Sequence, residues 1–219
     1  MRWRPHRSLL AVVVVAGLAT TPGCAPPAPR NTGVYLLLDT SGTYAQELDK
    51  AKQIINYTLA RLDALDSFAV ARIDTGSFSE RDIMAKVTLD DRPSAANQQK
   101  REFAQTVERS LTDVEASQYT DITGGLLQAV EFLNEKQPGR KTIFIFSDLK
   151  EDLEAGYVRD ISVPVEGFEV VALNVTKLRS DNVDPREYLE RLEAWRQRVE
   201  AEGGTWRVIN DLDRLETLL

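Results

Sequence analysis

The run VYLLLD, residues 34–39, sets five apolar side chains in succession and then closes on a carboxylate. A strand with one wet face alternates apolar and polar residues, whereas a run without alternation marks a strand covered on both faces. Two covered faces need a helical layer on each side of the sheet, which is the plan of an α/β protein. Leu48, Ile55, Leu59 and Leu62 mark one side of a helix over 45–65, with charges between them. FAVARID, 68–74, reads as a second strand. In IMAKVTLD, 83–90, Ile83, Ala85, Val87 and Leu89 alternate with other side chains, which suits a strand at the sheet edge paired antiparallel with 68–74.

Beyond Pro93, Phe103, Val107 and Leu111 form a seam on a helix over about 95–112. Another helix begins near Thr123, carries Leu126, Leu127, Val130 and Leu133, and is ended by Pro138-Gly139. TIFIFSD, 142–148, is an apolar strand that again closes on an aspartate, and EVVALNV, 169–175, repeats the theme. Tyr188, Leu192, Trp195 and Val199 give one face of a charged helix over 185–202, stopped by Gly203-Gly204. WRVI, 206–209, and a terminal helix, 211–218, complete the pattern. The expected fold is α/β: a doubly wound, mostly parallel central sheet with one antiparallel edge strand and helices on both faces. A chain of 219 residues without internal repeats suits one such domain, here 32–219.

The first residues have a different character. Arg2, Arg4 and Arg7 precede the apolar SLLAVVVVAGLA, and small residues and Cys24 follow. Basic, then apolar, then small is the layout of an export signal over 1–23, and about 12 apolar residues are too few to cross a bilayer comfortably. Cys24, the sole cysteine, has Gly23 before it and resembles the lipid-attachment box of bacterial lipoproteins, although Thr21 and Pro22 depart from its usual residues. That resemblance implies acylation of Cys24, a short linker over 24–31, and tethering to a bacterial envelope membrane, with the outer membrane favoured. Removal of 1–23 leaves 196 residues, takes away His6 and three arginines, and moves the net charge from -7 to -10. Histidine chemistry is then closed to the chain, and the acidic balance argues against a nucleic-acid partner.

Ligand sites in doubly wound sheets form beyond the carboxyl ends of central strands. Asp39 ends the first strand, and Ser41 and Thr43 follow in the turn; Asp148 ends the later strand; Thr120 lies in YTDITGGL between them. A hard divalent cation takes oxygen ligands, and two carboxylates with three hydroxyls leave room for water and an external ligand. Local roles compete with this reading. Asp39, Ser41 or Thr43 could cap the following helix, and Asp121 or Thr123 could equally serve the loop of Thr120 or the cap after it. Asp74, at the end of the neighbouring strand, either supports the site from behind or, the preferred reading, starts the turn containing Gly76.

DTSGT, 39–43, resembles the DxSxS motif of von Willebrand factor A-like (integrin I-like) domains, with Thr43 in place of a serine. Thr120-Asp121 resembles that family's threonine loop, and Ser147-Asp148 resembles the aspartate after its fourth strand, with Leu149 where glycine is common. The likeness spans roughly 31–218. It implies a metal-ion-dependent adhesion site in which Asp39, Ser41, Thr43, Thr120 and Asp148 hold Mg²⁺, or alternatively Mn²⁺ or Ca²⁺. It further implies an open coordination position for an acidic side chain of a protein partner. Two other readings remain: a metal-dependent hydrolase or phosphatase, and a lipoprotein domain with a purely structural ion. A dehalogenase-like phosphatase would need an aspartate at Ser41, and GxxxxGK[ST] is absent, so no enzyme is expected.

Overall fold

The computed structural model describes residues 29–41, 44, 47–113, 116–156, 158, 159, 161–211, 216 and 218. The expected export signal, Cys24 and Thr43 lie outside them, as does most of the expected terminal helix. Six strands form one sheet in the order β3-β2-β1-β4-β5-β6. These are β1 (Thr32–Asp39), β2 (Ser67–Ile73), β3 (Ile83–Thr88), β4 (Arg140–Phe146), β5 (Phe168–Leu173) and β6 (Thr205–Ile209). Every neighbouring pair is parallel except β2–β3, so the single antiparallel strand lies at an edge, as expected.

The unalternating run explains itself in β1. Val34, Leu36 and Leu38 face one layer, formed by α1 (Leu48–Arg61) and α2 (Pro93–Thr112). Tyr35 and Leu37 face the other, formed by α3 (Ile122–Lys136) and α4 (Pro185–Ala201). All five side chains are fully buried, each stabilising the fold by roughly 1.5–3 kcal/mol. Phe68 of β2 stacks on Phe103 of α2 with ring centroids 4.9 Å apart, joining sheet to helix on the first face. Among the described residues no helix is long and apolar enough to cross a membrane.

Two expectations change. The α2 helix begins at Pro93 rather than near 95, because proline lacks only an N–H that the first helical turn leaves unbonded anyway. In β3 the expected alternation is broken by an extra residue, Met84, opposite the step from Val70 to Ala71 of the partner strand. Ala71 pairs with Ile83 and Val70 with Ala85, so Ile83 packs on the α3/α4 side while Ala85 and Val87 pack on the α1/α2 side. A single extra residue in a ladder exchanges the two faces of everything beyond it.

The chain leaves β1 toward β2 and later returns to its other side as β4. That reversal opens a crevice at the carboxyl ends of β1 and β4, the place where sheets of this kind bind ligands.

Candidate functional site

β1 and β4 run side by side, Leu38 opposite Phe146, and their ends deliver Asp39 and Asp148 to one rim. β4 stops two residues short of Asp148, correcting the expected strand over 142–148. There the Ser147 side chain takes over from the ladder. Its Oγ donates to Asp39 Oδ2 at 2.7 Å and accepts from Leu149 N at 3.0 Å. Asp39 Oδ1 accepts from Ser41 N at 2.9 Å, shaping the turn after β1. That turn is pinned to the core by Tyr44, whose ring meets Phe146 edge-on at 5.0 Å and whose Oη donates to the Asn174 carbonyl at 2.5 Å.

The loop before α3 joins the same rim. Ser117 N donates to Thr40 O at 3.1 Å, and Ser41 and Ser117 form a parallel bridge. Thr120 exchanges two backbone bonds with Asp152, at 2.7 and 3.0 Å. Ser41, Thr120 and Asp148 therefore line one cleft of ≈ 350 Å³, together with Ser117, Lys150 and Asp152. Asp39 does not line it; the residue is only 1% exposed.

Of the three candidates in YTDITGGL, only Thr120 faces the cleft. Asp121 is the N-cap of α3: Oδ1 accepts from Gly124 N at 2.8 Å, Oδ2 accepts from Ser77 N, and Arg159 pairs with Oδ2 at 2.6 Å. Thr123 N donates to Glu151 Oε1 at 2.7 Å, and its hydroxyl accepts from Arg198. The glycines that follow are steric requirements. A Cβ on Gly124 would stand 2.5 Å from Asp121 Oδ2, and one on Gly125 would stand 2.8 Å from Leu37 Cδ2.

Leu149 has φ +65°, a backbone conformation that glycine adopts freely and leucine rarely. Its side chain is nonetheless buried in the α3/α4 core, and its carbonyl accepts from Trp195 Nε1 at 2.9 Å. Packing holds the leucine where the backbone alone would favour glycine.

The electrostatics of the cleft set burial and a second acid against two basic side chains, Arg191 and Lys150. Burial pushes the Asp148 carboxyl above its ordinary range, a backbone hydrogen bond from Lys150 N works against that, and the charge of Asp39 pushes it further up. Arg191 comes near, but its Nε donates to the Asp148 carbonyl at 2.9 Å, and its Nη2 pairs with Asp181 at 2.8 Å. Among the described residues no salt bridge reaches the Asp148 carboxylate. Nor does any group of three or more His, Cys, Asp or Glu form a metal cage among them. A cation here would draw on hydroxyl and water oxygens as well as on carboxylates, a donor set that suits a hard ion.

Three residues at or behind this rim escaped the sequence reading: Ser147, Ser117 and Asp152. Ser147 stands beside Asp148 in the SD pair, so a signal existed. The other two act through pairings distant in sequence and carry no local pattern.

No family model and no curated protein sequence matches the chain. Solved structures do match. One is a von Willebrand factor type A protein from Catenulispora acidiphila, with TM-score 0.51 and 16% identity over 87% of this chain. The chain has the von Willebrand factor A fold. A second structure, the pilus adhesin SpaC from Lactobacillus rhamnosus GG in an open conformation, matches with TM-score 0.54 and 13% identity over 86% of this chain. The chain spans 41% of the first protein and 29% of the second. At these identities the von Willebrand factor A likeness concerns the path of the backbone, and the chemistry of the rim rests on this chain's own residues.

Proposed function

We propose that the chain is a divalent-metal-dependent protein-recognition module, not an enzyme. In this reading it is exported, and Cys24 carries lipid that holds it at the periplasmic face of a bacterial envelope membrane, the outer membrane favoured. The observation that carries the recognition reading is the pair of buried acids at the β1/β4 crevice. Asp148 is 5% exposed, feels the charge of Asp39, and has no basic side chain on its carboxylate among the described residues. Arg191 and Lys150 act on this carboxylate only at a distance; buried charge without a direct partner is costly, and a cation at the cleft would offset it. Asp39, Ser41, Thr43, Thr120 and Asp148 are the proposed ligand set for Mg²⁺, with Mn²⁺ or Ca²⁺ as substitutes. When bound, the ion supplies local positive charge and a position that an acidic side chain of the partner completes.

The residues themselves do the arranging. Ser147 and Ser41 N orient Asp39, the Thr120–Asp152 bonds fix the height of the hydroxyl loop, and Lys150 N orients Asp148. The shared backbone with a pilus adhesin supports recognition over catalysis. Calorimetric titration with Mg²⁺ and Mn²⁺ tests the ligand set: Asp39→Ala and Asp148→Ala should remain folded and lose affinity. Equal affinity in all three proteins would reject it. Partner capture lost on chelation would separate recognition from a structural ion, and phosphate-ester turnover that depends on Asp39 would instead establish an enzyme.

A further inference from the structure

We propose that Asp74, which the ligand set does not include, positions the Thr120 loop for ion binding through Ser117. The inference rests on the metal-binding reading above but has its own readout. Asp74 follows β2, one strand away from the crevice, and its side chain reaches the loop that carries Thr120. Ser117 Oγ donates to Asp74 Oδ1 at 2.6 Å. The same Oγ lies 2.6 Å from Tyr119 O and accepts from Tyr119 N at 3.3 Å, so the hydroxyl sits at the centre of the loop's own turn. The Asp74 carbonyl also accepts from Asp121 N at 3.3 Å, on the far side of Thr120. One residue thus grips the loop at both ends, with Thr120 between the grips.

Asp74 is itself held rigidly. Its Oδ1 accepts from Thr75 N at 2.7 Å, its backbone N donates to Ser77 Oγ at 2.6 Å, and its Oδ2 pairs with Arg72 at 3.2 Å. Arg72 pairs in turn with Asp82 at 3.3 Å, at the foot of β3. A charged acceptor makes the stronger hydrogen bond, so the Ser117 proton belongs to Asp74 rather than to the Tyr119 carbonyl. Groups that orient a ligand loop from behind typically change metal affinity by roughly 10–100-fold when removed. Asp74 fits that role without touching the cleft.

The test compares wild type with Asp74→Ala, Ser117→Ala and Asp74→Asn in the full chain. It uses Mg²⁺ titration by calorimetry and amide hydrogen exchange at Ser117 and Thr120 without metal. Asp74→Ala and Ser117→Ala should weaken Mg²⁺ binding roughly 10–100-fold and speed exchange at both amides. Asp74→Asn keeps an acceptor for Ser117, but a neutral and weaker one, so it should bind between wild type and Asp74→Ala. Ser117→Ala deletes one half-buried hydroxyl and keeps the test informative if Asp74→Ala unfolds. Unchanged affinity in Ser117→Ala would overturn the proposal, whatever exchange shows. Equal losses in Asp74→Asn and Asp74→Ala would overturn it too, since an acceptor kept for Ser117 would then make no difference. Faster exchange in the variants of a protein that never binds metal would reject the ion site and leave the anchoring of the loop standing.

Discussion

Ser147 Oγ and Asp39 Oδ2 are 2.7 Å apart, and this bond ties the end of β1 to the exit of β4. The two residues are 108 positions apart in sequence, and both are buried. Ser147→Ala leaves Asp39 with an unmet acceptor and Leu149 N without its partner. Hydrogen bonds to charged groups contribute about 1.5–3 kcal/mol, so the variant should lose about 2 kcal/mol in urea unfolding with an unchanged m-value. A loss below about 0.5 kcal/mol would show that the bond is not holding the rim.

Asp148 predicts a pH dependence with a definite sign. Its folded-state carboxyl lies above the ordinary 3.8, chiefly through burial. Between the ordinary and the raised value the folded chain therefore holds a proton that the unfolded chain has lost. The associated stability is complete below the ordinary value and is lost as pH rises through the raised one. Asp148→Asn should remove this contribution, making the metal-free melting temperature at neutral pH higher than that of wild type. The same variant should abolish any Mg²⁺-induced rise in melting temperature, and wild type should show a smaller Mg²⁺ effect in acid than at neutral pH. Parallel melting curves for the two proteins across pH 3–8 would contradict the assignment.

The Asp121–Arg159 pair is the most buried ion pair that touches α3. Asp121 is fully buried, and the Arg159 side chain is 18% exposed. Arg159→Ala strands the aspartate and should cost roughly 3 kcal/mol, as breaking buried pairs does. Gly124→Ala should weaken the same corner by pressing on the Asp121 carboxylate, and it should melt earlier than an exposed helix replacement such as Ser94→Ala. Thermal scans of the three variants provide the comparison.

Leu149→Gly sets two effects against each other. Relieving the φ of +65° gains roughly 1 kcal/mol, whereas emptying a buried leucine site costs roughly 2–5 kcal/mol. The net expectation is a loss of about 2 kcal/mol in denaturant unfolding. A stabilised variant would mean that backbone strain outweighs the packing of this side chain.

Much of the backbone plan was legible before any coordinates. The unalternating VYLLLD required two covered faces, and the alternating IMAKVTLD pointed to the edge, because burial imprints itself locally on residue type. Asp39, Ser41, Thr120 and Asp148 could be placed on one rim because strand ends in a doubly wound sheet share a direction. The face exchange in β3 was not legible, since the extra residue, Met84, shows itself only through the pairing of its neighbours with Val70 and Ala71. Asp74 with Ser117 and Asp121 with Arg159 were hidden for a related reason. Each pair is made by two side chains about 40 positions apart, a distance at which no periodicity speaks. Asp121 could be read as a possible cap, but nothing nearby announced its arginine.

The irregular ladder at β3 has a consequence for life in a crowd. The outermost strand is six residues long, carries Lys86, and bends where the ladder slips. Short, kinked, lysine-bearing margins make poor templates for another chain's backbone. Copies of the chain that met along β3 would therefore not zip into ribbons.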